Sequence, residues 1–131
     1  MASLREIKTN DELILLKKAA QISAQGQREV MKAIKPEMTE REVQGIHQLV
    51  YKKYGAAHEG YPSIVGAGDN ACVLHYVENS KALKDGDLVL VDAGCEFELY
   101  ASDITRTYPI NGKFTSAQLA IYEVVLEAQQ K

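Results

Sequence analysis

Two carboxylates stand where a buried strand would ordinarily carry none. Leu88-Val89-Leu90-Val91-Asp92-Ala93-Gly94 is a run of four apolar residues closed by an acid, and Ser102-Asp103-Ile104-Thr105-Arg106-Thr107 places a second Asp eleven positions on. Four apolar residues in a row read as a strand buried on both faces, so Asp92 borders low-dielectric core, where an unpartnered charge is costly. Residues 95–101 (Cys-Glu-Phe-Glu-Leu-Tyr-Ala) are suited to turning the chain back. An antiparallel return whose paired residue numbers sum to about 195 would set Asp103 beside Asp92 on one face, close enough to share an ion. Two like charges so placed repel unless a cation lies between them, which favours a divalent metal held by oxygen. A single Asp after a strand more often caps a turn through nearby amides. It is the pair that points to a metal.

Three capping boxes organise the elements that must position this hairpin. Thr9-Asn10-Asp11-Glu12 opens a helix to about Ala33, stopped by Pro36, with Leu13, Leu16, Ala20, Ala24, Met31 and Ile34 at helical spacing. Thr39-Glu40-Arg41-Glu42 opens a second, with Val43, Ile46, Val50 and Tyr54 on one face and an end at Gly55. Thr115-Ser116-Ala117-Gln118 opens a third, expected to bury Leu119, Tyr122, Val125 and Leu126. Between them, Ser63-Ile64-Val65 and Val73-Leu74-His75-Tyr76 read as short strands, Lys84-Asp85-Gly86-Asp87 as a turn, and Asn111-Gly112 as the turn that ends the strand carrying Arg106. The order helix, helix, strands, helix makes residues 1–131 one α+β unit.

The segment LVLVDAGCEFELYASDITRTYPINGKF, with GYPSIVGAGDNACVLHYVENS before it, resembles the catalytic domain of proline-specific metallopeptidases of the aminopeptidase P type. These are relatives of prolidase, methionine aminopeptidase and creatinase that share the pita-bread fold. The likeness runs from about Arg5 to the end, and the combination of LHY, DAG, SDITRT and NGKF lies nearest aminopeptidase P, with prolidase the runner-up. It implies half of a pita-bread fold, an antiparallel-rich sheet with helices on one side. It further implies that Asp92 binds one divalent metal ion and Asp103 bridges two, with Mn2+ favoured by oxygen and imidazole donors. The ions would supply hydroxide near neutral pH for attack on the carbonyl preceding proline, so that the substrate is a peptide with proline second and the product its freed N-terminal residue.

In the same resemblance His75 matches the active-site histidine that is not a ligand, which bonds the substrate carbonyl or the tetrahedral intermediate. By its apolar neighbours alone, His75 reads as a core histidine. Arg106 is read as holding a carboxylate of the pair in place, against a plain exposed strand position. Tyr61 is either ordinary core or an aromatic wall of the substrate pocket. His47 and His58 match no ligand position and read as packing or surface residues.

The resemblance implies five ligands, the two Asp with a His and two Glu from a second half. After Asp103 the chain has no His, and Glu123 and Glu127, four apart on the last helix, read as a solvated face. The chain is accordingly expected to be the N-terminal half of a catalytic domain truncated from a longer enzyme, and inactive alone. Its uncovered strands, with unpaired amides and an apolar face, predict self-association, hence a homo-oligomer.

Composition narrows the alternatives. A chain of 131 residues that is 46% hydrophobic and 25% charged can bury one core. A net charge of −3 offers no basic surface for nucleic acid, and no apolar run suggests a membrane span or a signal peptide. The cytoplasm is the expected location. Cys72 and Cys95 form no CxxC pair and read as small buried thiols. Beside the aminopeptidase reading stand a prolidase-type dipeptidase, a non-catalytic peptide-binding module and a metal-independent creatinase-type hydrolase. Retention of both Asp disfavours the last two.

Overall fold

The computed structural model describes residues 2–131. In chain order the elements are α1 (Ala2–Glu6), α2 (Asn10–Ala33), α3 (Glu40–Lys53), β1 (His58–Glu59), β2 (Ile64–Ala67), a 3-10 turn (Gly68–Cys72), β3 (Leu88–Asp92), β4 (Cys95–Phe97), β5 (Tyr100–Ala101), β6 (Thr105–Pro109) and α4 (Ser116–Gln130). All three capping boxes form as expected, at Thr9 with Glu12, Thr39 with Glu42 and Thr115 with Gln118. In each, the threonine hydroxyl accepts the N3 amide and the N3 side chain accepts the cap's own amide, satisfying two otherwise orphaned donors.

β3 pairs antiparallel with β6, and β4 with β5, and in both ladders the paired residue numbers sum to 197. The four strands are therefore one long hairpin, closed by Glu98-Leu99. Both turn residues have positive φ, 49° and 70°, the conformation of a type I′ turn, whose twist matches that of the strands. β2 joins the far side of β3, giving the order β2-β3-β6, and β1 joins β4, giving β1-β4-β5. The expected register is thus corrected by two residues, because Asp92 pairs with Thr105. A slip of two preserves side-chain parity, so Asp103 stays on the face of Asp92; a slip of one would have divided the pair.

Helices α2 and α3 cover one face of this sheet. Val30 and Val43 from the helices meet Val65, Val89, Val91 and Tyr108 from the strands, while Ala19, Ile22 and Tyr51 close over Cys95. The buried face of α2 is not the expected one. Ala19, Ile22, Ser23, Gly26, Gln27 and Val30 point inward, whereas Leu13 and Met31 are exposed. Polar side chains occupy the core-facing stripe because the hairpin offers them backbone partners, a pattern that apolar periodicity cannot detect.

Four further expectations are corrected. Val73–Tyr76 is not a strand but a bend and turn with His75 in the left-handed region, φ 55°. It finds no strand to pair with, since the outward amides of β2 are already taken by side chains: Val65 N–H donates to Asn79 Oδ1 at 3.0 Å and Ala67 N–H to Glu40 Oε1 at 2.8 Å. The anticipated row of free amides is therefore absent from that edge. No described residue of α4 is buried; Leu119, Val125 and Leu126 are exposed and Tyr122 half-buried against Phe114, because no described element covers that side. Cys95 is buried as expected, but Cys72, in the 3-10 turn, is exposed. Among the described residues no helix is long and apolar enough to cross a membrane.

His47 belongs to the core. Its Nδ1 lies 3.1 Å from the Tyr51 hydroxyl, and Gly26 leaves the room it needs, since a Cβ there would fall 2.5 Å from that nitrogen. Its Nε2 has no partner among the described residues. Burial pushes its pKa down to about 4, with the charge of Glu59 opposing. The unfolded chain, with the ordinary value of 6.5, binds the proton first as pH falls. Stability should therefore be full above pH 6.5 and decline by about 3 kcal/mol between there and pH 4. Urea unfolding of His47→Gln should lack this decline; an equal loss in the variant would assign the acid limb to other groups.

Candidate metal centre

The hairpin brings its acids together through one close backbone approach. In the register of 197, Gly94 faces Asp103, and a Cβ on Gly94 would lie 1.8 Å from the Ser102 carbonyl oxygen. Only glycine lets the returning strand settle here. From behind, α2 fixes the same level. Gln27 Nε2 donates to Ile104 O at 2.9 Å and reaches Val91 O at 3.5 Å, while its Oε1 accepts the Tyr108 hydroxyl at 2.6 Å. Val91 and Ile104 are the neighbours of the two acids in sequence. One turn earlier, Ser23 Oγ accepts Cys95 N–H at 2.9 Å and lies 2.7 Å from Ser102 Oγ.

On the opposite face the two carboxylates converge. Tyr61 Oη bonds Asp92 Oδ1 and lies 3.2 Å from Asp103 Oδ1. Asp92 is half-buried and Asp103 exposed, so the pair opens to solvent on one side. Burial, then the bond to Asp92 and the charges of both acids, push the Tyr61 phenol far above its ordinary range, so it stays protonated and donates. One proton cannot satisfy two carboxylates. The excess negative charge and the all-oxygen donors suit a hard divalent cation. Among the described residues no cluster of three His, Cys, Asp or Glu is placed to hold a metal, so Asp92 and Asp103 would be part of a ligand set.

The other expected site residues lie differently. Tyr61 is neither plain core nor merely a wall, since its hydroxyl joins both acids. His75 sits exposed in its turn, and among the described residues no hydrogen bond links it to Asp92, Asp103 or Tyr61. It is therefore no core histidine. Arg106 does not hold either carboxylate here. It pairs with Val91, which puts it on the helix-covered face of the ladder, and its guanidinium donates to Thr105 O at 2.7 Å. Glu123 and Glu127 are exposed, Glu127 pairing with Lys131 at 2.7 Å. His58 is exposed on β1. Sequence reasoning missed Gln27, Gly94, Asn79 and Glu40; of these only Gly94, two residues after the strand acid Asp92, carried a signal.

A sheet backed by helices on one side, with an oxygen-donor pair on the other, is the architecture of half a pita-bread metallopeptidase. Metallopeptidase family M24 matches residues 14–131, and the chain belongs to that family. The chain is 47% identical over its whole length to a Xaa-Pro aminopeptidase of Haemophilus influenzae, covering 30% of that protein. It is 46% identical to a Xaa-Pro dipeptidase of Rattus norvegicus, with 95% of this chain and 26% of that one aligned. Among solved structures, the proline aminopeptidase P II of Yersinia pestis superposes with a TM-score of 0.96 at 47% identity, over 98% of this chain and 29% of that one. The chain thus spans less than a third of the length of these relatives.

Gly94→Ala should force the strands apart at the acid pair and cost more than about 3 kcal/mol, read as a lowered urea midpoint. An unchanged midpoint would mean that the approach at Ser102 is not needed.

Proposed function

We propose that this chain supplies Asp92 and Asp103 to the metal centre of a Xaa-Pro aminopeptidase, which releases the N-terminal residue from peptides with proline second. The convergence of both carboxylates on the Tyr61 hydroxyl carries the reading, supported by the family and by identity to the Haemophilus enzyme. The remaining ligands, a His and two Glu, would come from the rest of a longer enzyme. Bound divalent ions, two in number and Mn2+ by preference, would supply Lewis acidity and a water of lowered pKa.

The chain's own residues divide the remaining work. Asp92 and Asp103 would hold the positive charge, Asp103 from the solvent-exposed side of the pair. Tyr61 donates to one oxygen of Asp92, fixing that carboxylate and leaving its second oxygen free to ligate. His75, exposed and without a hydrogen-bond partner among the described residues, offers an N–H to the substrate carbonyl. Preference for proline rests on likeness to the relatives. Near-equal identity to the rat dipeptidase keeps a prolidase-type activity as the second reading.

In the complete enzyme, Asp103→Ala should abolish hydrolysis while thermal unfolding stays close to wild type; near-normal kcat with added Mn2+ would refute its bridging role. Cleavage of a Xaa-Pro-Yaa tripeptide but not of a Xaa-Pro dipeptide supports the aminopeptidase, and the reverse the dipeptidase. The 131-residue chain alone, with α4 uncovered, should bind Mn2+ weakly, show no peptidase activity and associate with itself at micromolar concentration. A sedimentation run showing a monomer that binds two ions tightly would overturn this.

A further inference from the structure

Glu40 is a fully buried carboxylate that makes no salt bridge among the described residues. It is the first residue of α3, which the sequence presents only as a helix-start acid, yet its side chain points away from the helix into the fold. Oε1 accepts Ala67 N–H at 2.8 Å and Asn70 Nδ2 at 3.0 Å, and Oε2 accepts the Tyr76 hydroxyl at 2.8 Å and Lys81 N–H at 2.9 Å. Burial alone would raise its pKa. The bonds from Ala67, Asn70, Lys81 and Tyr76 outweigh that and hold it below the usual carboxylate range. Four donors and the start of a helix replace the water it has lost.

The donors form a pattern. Ala67 is where the chain leaves β2, and Lys81 is where it returns to bond α3, its carbonyl accepting Glu40 N–H at 2.9 Å. Asn70 and Tyr76 lie on the excursion between. One carboxylate therefore closes the neck of the 67–81 loop and grips it at the residue beside His75. Asn79 repeats the device, its amide donating to Ser63 O at 2.8 Å while its oxygen accepts Val65 N–H. The tip is different: Val73, Leu74 and His75 are exposed, and His75 holds a left-handed φ. A left-handed histidine with no hydrogen-bond partner among the described residues must be held by its neighbours.

We propose that Glu40 is a positioning residue, which fixes His75 for the reaction by binding Tyr76 and both ends of the loop through a single buried carboxylate. This rests on the role given to His75 above. Glu40→Gln keeps the size but turns two of the four acceptor sites into donors, facing Lys81 N–H or Ala67 N–H with a like group. Tyr76→Phe removes the bond nearest His75, together with the longer contact in which the Tyr76 hydroxyl accepts Ser80 N–H at 3.4 Å.

The experiment is a double-mutant cycle in the complete, metal-loaded enzyme, with amide exchange and metal content followed alongside. Glu40→Gln should lower kcat on the order of 10²-fold, with KM and bound metal unchanged, and Tyr76→Phe about tenfold. Amide protection of Ala67 and Lys81 should fall in Glu40→Gln. In the His75→Ala background both effects on kcat should shrink to less than about twofold, because the group they position is gone. Should Glu40→Gln fail to fold, Tyr76→Phe carries the cycle alone. Full losses in the His75→Ala background would overturn the proposal while leaving the role of His75 intact. A His75→Ala enzyme with wild-type kcat would instead remove the role of His75, and this proposal with it.

Discussion

The side-chain amide of Gln27 joins the helical layer to both strands of the acid-bearing hairpin. It donates toward the carbonyls of Val91 and Ile104 and accepts the Tyr108 hydroxyl, all within the core. A buried amide is costly without partners and strongly directional with them, so it fixes α2 to the hairpin in one register where apolar contacts alone would permit sliding. Ser23 repeats the attachment at Cys95 and Ser102. The convergence of Asp92 and Asp103 on the far face is the consequence. Acids on neighbouring strands repel, and their separation is set by what holds the strands from behind.

The same economy governs the edge of the sheet. Among the described residues β2 has β3 on one side and no strand on the other, and exposed strand amides recruit unwanted partners. Here Asn79 and Glu40 stand in for a strand, each meeting one outward amide. The edge is sealed by the residues that tether the next loop, so sheet termination and loop placement share one set of bonds. A loop held at its neck can leave its tip exposed without losing its place.

α4 departs from this closure. An apolar groove of about 690 Å³ runs between it and the strands, lined by Leu88, Thr107, Ile121, Tyr122, Val125 and Leu126. Ile121, Val124 and Val125 are each more than 60% exposed, so its apolar residues are not confined to one stripe. A helix of that kind belongs in the interior of a larger body. The chain spans 30% or less of its relatives' length, in keeping with such a body.

Local chemistry was legible in the sequence. The three capping boxes and the turn at Lys84–Asp87 follow from short-range rules, in which each residue's partner lies within a few positions, while the strand ending in Asp92 and its antiparallel return follow from apolar patterning and the turn between them. The antiparallel return also placed the two acids on one face, and parity protected that result from a register error of two. What required the folded chain was every decision made by a distant partner. Ser23, Gln27, His47 and Glu40 look like surface residues to any measure of polarity, yet each is buried, because backbone groups or side chains far along the chain complete its hydrogen bonds or shield it from water. Val73–Tyr76 has the composition of a strand but no free edge to join. Arg106 falls on the wrong face for the acids by one step of a two-residue period. Sequence determines what a residue can bond; only the tertiary structure decides what is within reach, because burying a polar group is favourable only where its partner is already waiting.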